Sequence, residues 1–430
     1  MENNSNRRLV LAISLVLLFA VVVIVWYFVY AKPIIAPSIK ETNNPFPTNK
    51  LPPRFQFLNW GQEDTSTTTT EVTDPLLFPL VRVWDKPATG QVFITQNILK
   101  EVVATTTLGT STTQIKKTVR ATSTILLFVD RTTGYVYGFS PLTGKPFQIS
   151  NTLLPGIYDA YFYEKGDQVM MRYIDQEKNE IVGVTALVPN VQENEMALPL
   201  KNVQYIRSNI TSITSNLKKE KISYVVTTDS GSDIFTLTKN GASLLTSSPF
   251  REWSITYGGD VVYITTKPSA YVEGSTFSIP QLKSEITEKT GLMSTLSSEG
   301  IMLNSMWSRD GLATFITNNG DTKNASFKTL ASKCSWGERK FLVCAIPRTI
   351  PRTTEGLPDD WFQGRVTFND DFFIIDSSTG ESYSFYTFKK EDGLFDVTNI
   401  SIAEGNKYIG FNKKQDASLW ILNTELIKEE

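Results

Sequence analysis

A short apolar strand, a Gly, Asp or Asn turn, a second strand, and a return to the start after about 45–50 residues: this pattern recurs along the chain and constrains its fold more than any other feature. Its clearest copy runs through 252–257 around Trp253, then 260–266, 275–279 and 282–288. A late copy runs through 399–402, 407–411 and 418–422. Four short strands per repeat make one blade of a β-propeller. The expected class is therefore all-β, with a seven-bladed β-propeller behind one N-terminal transmembrane helix. Past residue 75 there is no 3.6-residue apolar period and no alternation of strands with helices, so no second domain is expected.

Seven units can be counted. The first takes strands at 91–95, 125–130, 135–139 and 146–150, with a Thr-rich insertion at 105–113. The second begins at 157, the third holds 222–226 and 234–237, the fourth lies around Trp253, and the fifth spans 293–329. The sixth runs from 333 to 388 and the seventh from 399 onward. The last unit shows three strands, while the segment 78–84 has no neighbour in unit one. Joined, they make one complete blade with 78–84 outermost, and the ring closes with its edge groups satisfied. The alternative is a truncated last unit with 78–84 belonging to the first, or a ring of six or eight blades.

Ahead of the repeats, Leu9 to Tyr30 is apolar except for Ser14. About 22 residues at 1.5 Å rise span about 33 Å, enough to cross a bilayer core. Arg7 and Arg8 precede the run, and Trp26, Tyr27 and Tyr30 crowd its far end. The expected layout is a cytoplasmic tail at 1–8, an anchor at 9–30, a tether at 31–75, an extracytoplasmic propeller at 76–426 and a short tail at 427–430. A signal peptide cut after Ala31 is the rival, but the apolar run exceeds an ordinary signal core. No cysteine near the run could carry a lipid anchor.

Composition removes several chemistries. The chain has no histidine, which excludes Ser-His-Asp and Cys-His catalysis and histidine-held metals. A formal charge of −2 offers no basic field for nucleic acid. Acid–base work would fall to carboxylates, Tyr or Lys. No cofactor, metal site or catalytic residue is expected. Cys334 and Cys344 flank a turn near 338–339 and face each other on neighbouring strands, as a disulfide or as two buried thiols.

Two insertions depart from the blade pattern. Residues 346–369 interrupt unit six and contain Asp359, Asp360, Trp361 and Arg365; residues 267–274 interrupt unit four and contain Lys267 and Tyr271. Both join a second strand to a third, so they emerge on the same face as the links between blades. Arg251, Glu252, Tyr158 and Asp159 fall on that face too. Loops grown on one face of a repeat array mark its binding side. Trp361, Asp360, Arg365, Tyr271, Lys267 and Arg251 are the candidate binding residues, with Trp361 as an exposed anchor. The plainer alternative packs Trp361 and Tyr271 onto their own blades. Asp359 and Asp360, with Asn369, Asp370 and Asp371, could hold Ca²⁺ or act as acid and base, or simply cap turns.

With the blades laid out, the chain resembles the bacterial WD40-like and TolB-like propellers, and more closely a set of single-pass propeller proteins of candidate-phylum bacteria (Patescibacteria). The residues that carry the likeness are 154–158 (Leu-Pro-Gly-Ile-Tyr), the Trp253 strand, 265–270, the Cys334 to Cys344 hairpin with Trp336, 358–364 around Trp361, and Leu419-Trp420. The likeness covers roughly 75–426 and the anchor. It implies the fold and the topology and brings no activity, so no site residue is carried over. The Trp-Asp and Gly-His pairs of true WD repeats are missing.

The expected function is a protein- or glycan-binding scaffold of the bacterial envelope, single-pass in the cytoplasmic membrane with its N-terminus inside. The alternative is an envelope glycan lyase or glycosidase with carboxylates or Tyr at the channel mouth; two carboxyl groups facing each other about 5–9 Å apart would mark a glycosidase.

Overall fold

The computed structural model describes residues 42–43, 76, 78–108, 111–216, 220–337 and 341–427. The anchor expected at 9–30, the tail before it, most of the tether and the turn at 338–339 lie outside these residues. No helix among the described residues is long and apolar enough to cross a membrane.

Seven four-stranded antiparallel sheets form the described chain, and each is one blade. Their first strands are Ala88–Leu108, Ile157–Tyr163, Ile210–Asn216, Trp253–Gly258, Met293–Leu296, Cys334–Trp336 and Val397–Ile402. These strands touch one another in succession, and the circle closes where Val397–Ile402 meets Ala88–Leu108. They therefore line a central channel. The strand Ile210–Asn216 was missing from the sequence pattern because its Thr, Ser and Asn residues carry little apolar alternation.

Every seam between neighbouring blades holds its own apolar cluster. Leu127, Val129 and Val136 of blade one meet Phe162, Met171 and Val184 of blade two. Leu303 and Ile316 of blade five meet Leu342, Cys344 and Phe373 of blade six. Period-two alternation on both faces of each sheet is what supplies two such surfaces per blade. Cys334 and Cys344 stand opposite each other on the first two strands of blade six and are disulfide-bonded, with Cα atoms 4.1 Å apart.

The ring is closed by the strand Leu80–Trp84. It lies outermost in blade seven and pairs antiparallel with Leu419–Asn423, Leu80 opposite Leu422 and Arg82 opposite Trp420. Trp84 then reaches across the seam: its indole nitrogen donates to Asp130 Oδ2 at 3.0 Å, and its ring packs on Tyr137 at 4.5 Å. One short segment thus completes a blade and staples it to the next.

Blade one departs from its neighbours. Within the segment 105–113, expected as an insertion, residues 105–108 and 111–113 are instead paired backbone, since strands Ala88–Leu108 and Ser111–Asp130 pair out to Leu108 opposite Ser111. Only Leu126 to Val129 of the second strand pair with the third. The remainder is a two-stranded ribbon of about 50 Å, and β-branched Thr suits its extended backbone. It leaves from the face opposite the insertions, because first-to-second and second-to-third connections lie at opposite ends of an antiparallel sheet.

Removing residues 1–84 is expected to lower the melting temperature far more than removing 1–70, because the first variant exposes the edge of Leu419–Asn423 and loses buried Val83. Equal melting curves for the two variants would reject closure through this strand.

Candidate functional site

The second-to-third-strand connections and the links between blades share one face, and a cavity of about 470 Å³ opens there into the channel. Blades seven, one and two supply most of its wall, and it runs down to Phe162 and Ser215. Tyr158 and Asp159 line it, as their place at the start of blade two dictates. Arg131, Lys414, Gln91 and Asn399 also line it, and none was singled out from sequence. Arg131 and Lys414 occupy the second-to-third-strand turns of blades one and seven, where the long insertions sit in blades four and six. Topological position, rather than loop length, was the signal that could have found them.

The charges on this wall are unevenly matched. Asp159 is held by Arg172, whose Nε donates to Oδ1 at 2.7 Å and whose Nη2 bonds Oδ2, while Nη1 donates to the Ile210 carbonyl at 2.6 Å. Burial and the Asp159 charge push the Tyr161 phenol well above its ordinary range. The Arg172 guanidinium lies 5.3 Å from the Tyr158 ring, which is half exposed to the cavity. Arg131 spends only its Nε, on the Ile157 carbonyl at 3.1 Å. Among the described residues its two terminal nitrogens have no hydrogen-bond partner. Asp159 is the single carboxylate in the lining, so the facing carboxyl pair that would mark a glycosidase is not assembled in this cavity.

Beside the cavity stands the blade-six insertion, and here the expected exposed anchor is corrected. Trp361 is 5 % exposed and packs with Leu312, Leu330, Leu357 and Phe368. The reason is a buried charge cluster beneath it. Lys333, wholly buried at the entry to blade six, donates to Asp396 Oδ1 at 2.5 Å and to the Val397 carbonyl at 2.9 Å, and forms an ion pair with Asp370 Oδ2 at 2.8 Å. Trp361 Nε1 donates to Asp396 Oδ2 at 2.9 Å, and the rings of Trp361 and Phe368 lie 5.3 and 5.0 Å from the Lys333 nitrogen. The indole is drawn inward because it completes the carboxylate's shell and roofs the cation.

Asp360 is corrected in the same way. It is fully buried, accepts from the backbone nitrogens of Thr354 at 2.5 Å and Glu355 at 3.0 Å, and holds the loop that leads into the helical turn Asp359–Phe362. Asp359 Oδ2 accepts from the Ala270 nitrogen at 2.5 Å, so the insertions of blades six and four meet over blade five. Gly356, at φ +102°, is needed there: a Cβ would run into Trp307 and Ala270. Asp371 takes both forks of Arg348 at 2.8 Å. The aspartates of the insertion are thus spent on loop and ion-pair geometry. Lys267, paired with Glu252 at 3.0 Å, remains exposed, as do Tyr271, Arg251 and Arg365, the last beside Glu355 and Asp360.

Lys414 joins the two parts of the face. It lines the cavity, yet its ammonium donates to the Trp361 carbonyl at 2.6 Å and lies 4.9 Å from the Trp361 ring. Burial pushes its pKa down, with Asp396 opposing and Lys333 adding to the shift.

No protein-family model matches the sequence, and no curated protein matches it. Among solved structures, the chain is similar to the β-propeller domain of the trilobed protease from Pyrococcus furiosus at 9 % identity, over 72 % of this chain and 95 % of that one, with a TM-score of 0.42. It is similar to an oligogalacturonate lyase from Vibrio parahaemolyticus at 6 % identity, over 79 % and 98 %, with a TM-score of 0.43. A functionally unknown protein from Desulfotomaculum acetoxidans matches at 11 % identity, over 70 % and 92 %, with a TM-score of 0.44. Likeness this distant assigns no site, and the seven-bladed architecture stands on the chain's own sheets.

Trp361→Ala is expected to cost about 3–5 kcal/mol of stability by cavity formation and loss of the Asp396 donor. Denaturant unfolding measures it, and a change within about 0.5 kcal/mol would return Trp361 to the surface.

A pH effect follows from Asp370. Burial pushes its pKa up to about 7, with Lys333 opposing and Asp396 reinforcing the shift. In the unfolded chain the group titrates near about 3.9. Between those values the folded state holds the extra proton, so this group's contribution to stability falls as pH rises from about 4 through 7. Asp370→Asn should flatten the melting temperature across that window; an unchanged slope would contradict the assignment.

Proposed function

We propose that this chain is a membrane-anchored, extracytoplasmic binding propeller of the bacterial envelope, which holds a protein or glycan partner over the channel mouth on its insertion-bearing face. The observation that carries the reading is the open cavity with half-exposed Tyr158 and the incompletely paired Arg131 guanidinium in its wall. A concave site with an aromatic ring and few polar groups is the usual form of a ligand pocket. Exposed Tyr271, Lys267, Arg251 and Arg365 extend the same face outward. Trp361 and Asp360 serve it from below, by stiffening the insertion. The membrane part of the reading rests on the apolar run from Leu9 to Tyr30 and the arginines before it.

Two measurements on intact cells test the two parts. Added protease should release the propeller by cutting in the tether; a soluble mature chain beginning near Lys32 would overturn the anchor. A photo-crosslinker at Tyr271 should give a discrete adduct that one at Lys239, on the opposite face, does not. Equal adduct patterns from the two positions would reject this face as the binding surface.

A further inference from the structure

We infer that the channel-mouth cavity takes a ligand bearing a carboxylate, and that Arg131 is the residue that holds it. This rests on the reading of the face as a binding surface and adds the chemistry of what is bound.

Two observations point there together. The first is the state of Arg131. Its Nε is anchored on the Ile157 carbonyl at 3.1 Å, which sets the guanidinium plane, and among the described residues the end-on pair of nitrogens has no partner. Two parallel N–H groups at a fixed spacing match the two oxygens of a carboxylate. The acid next to it in sequence does not compete: Asp130 is 2 % exposed and accepts from Trp84 Nε1 at 3.0 Å and from the backbone nitrogens of Thr132 and Thr133 at 2.9 Å.

The second is the charge of the wall. Its one carboxylate, Asp159, is neutralised by Arg172 from behind, while Arg131 and Lys414 both contribute positive charge. A neutral ligand would leave the Arg131 charge without a partner in the wall. The half-exposed Tyr158 ring adds an apolar surface for the body of the ligand.

The ligand that answers both carries a carboxylate. A uronic acid unit and the C-terminal residue of a peptide each supply one. A cavity of about 470 Å³ lies within the size range of small-ligand sites, so it accepts the end of a chain and not its length.

The test titrates the full chain in detergent with two matched pairs: glucuronic acid against its methyl ester, and a Gly-Ala dipeptide against its C-terminal amide. Calorimetry should show at least one acid binding about tenfold more tightly than its neutral partner, with affinity falling as salt rises. Which acid binds distinguishes sugar from peptide. Arg131→Gln should lose about tenfold or more, and Arg131→Lys less, since the charge remains but the fork is gone. Equal binding of acid and neutral partner, no binding by either acid, or full affinity in Arg131→Gln overturns the proposal. If Arg131→Gln fails to fold, the acid-to-neutral ratio in the unaltered chain still decides. A Tyr271 adduct that persists while the acids fail to bind would leave the binding face standing and remove only the carboxylate.

Discussion

The pairing of Leu80–Trp84 with Leu419–Asn423 is the contact on which the rest of the molecule depends. Seven blades in a row bury their faces only against neighbours, so an open array would expose one apolar face at each end. Closing the array through a strand from the other end of the domain converts two exposed faces into one more buried seam, where Leu126 and Phe128 meet Leu419 and Ile421. The cavity lies beside that seam. Its wall is drawn from blades seven, one and two, so Lys414 and Asn399 face the same space as Arg131 only while the ring is shut.

Against this apolar background the Lys333 cluster is the costly feature. Removing an ammonium and two carboxylates from water carries a penalty that their mutual attraction repays only when every polar group is matched. Lys333 and Asp396 meet that condition; Asp370 does not, because its Oδ1 is buried without a partner. That orphan oxygen fits a carboxyl whose pKa burial has pushed up to about 7. The cluster joins the turn that enters blade six, the third strand of blade six and the entry to blade seven. Its geometry therefore fixes how those two blades sit, and it is also the floor on which the insertion rests.

The repeat was legible because strands write their burial into sequence with period two, and Trp253, Val262, Ile264 and Phe277 carry that signature plainly. The facing cysteines and the shared face of the two insertions were legible for the same reason, since strand order dictates both. The site was less so. Trp361 in an insertion rich in Pro and Asp reads as an exposed aromatic, because nothing local shows that Asp396, distant in sequence, accepts its indole proton. Lys333 between Ser332 and Cys334 gives no hint that it is wholly buried. Arg131 sits in an Arg-Thr-Thr-Gly turn whose residues are those any hairpin would use, and its value comes from the turn's place at the channel mouth. Local pattern identifies elements; the chemistry here comes from residues far apart in the chain.

The inward position of Trp361 gives the insertion a different role from the one an exposed anchor would have. Its indole holds Asp396, its ring covers Lys333, and its carbonyl receives Lys414, which lines the cavity. One residue thus connects the buried cluster, the helical turn Asp359–Phe362 and the cavity wall. Asp359 carries the connection on to Ala270 in the blade-four insertion. The two insertions are therefore a braced rim, fixed to the ring at one end through a buried carboxylate and to each other through the Ala270 backbone nitrogen, which donates to the Asp359 carboxylate. A rim held in this way keeps Tyr271 and Arg365 in one arrangement; under the proposed function, less ordering would remain to be done on binding a partner.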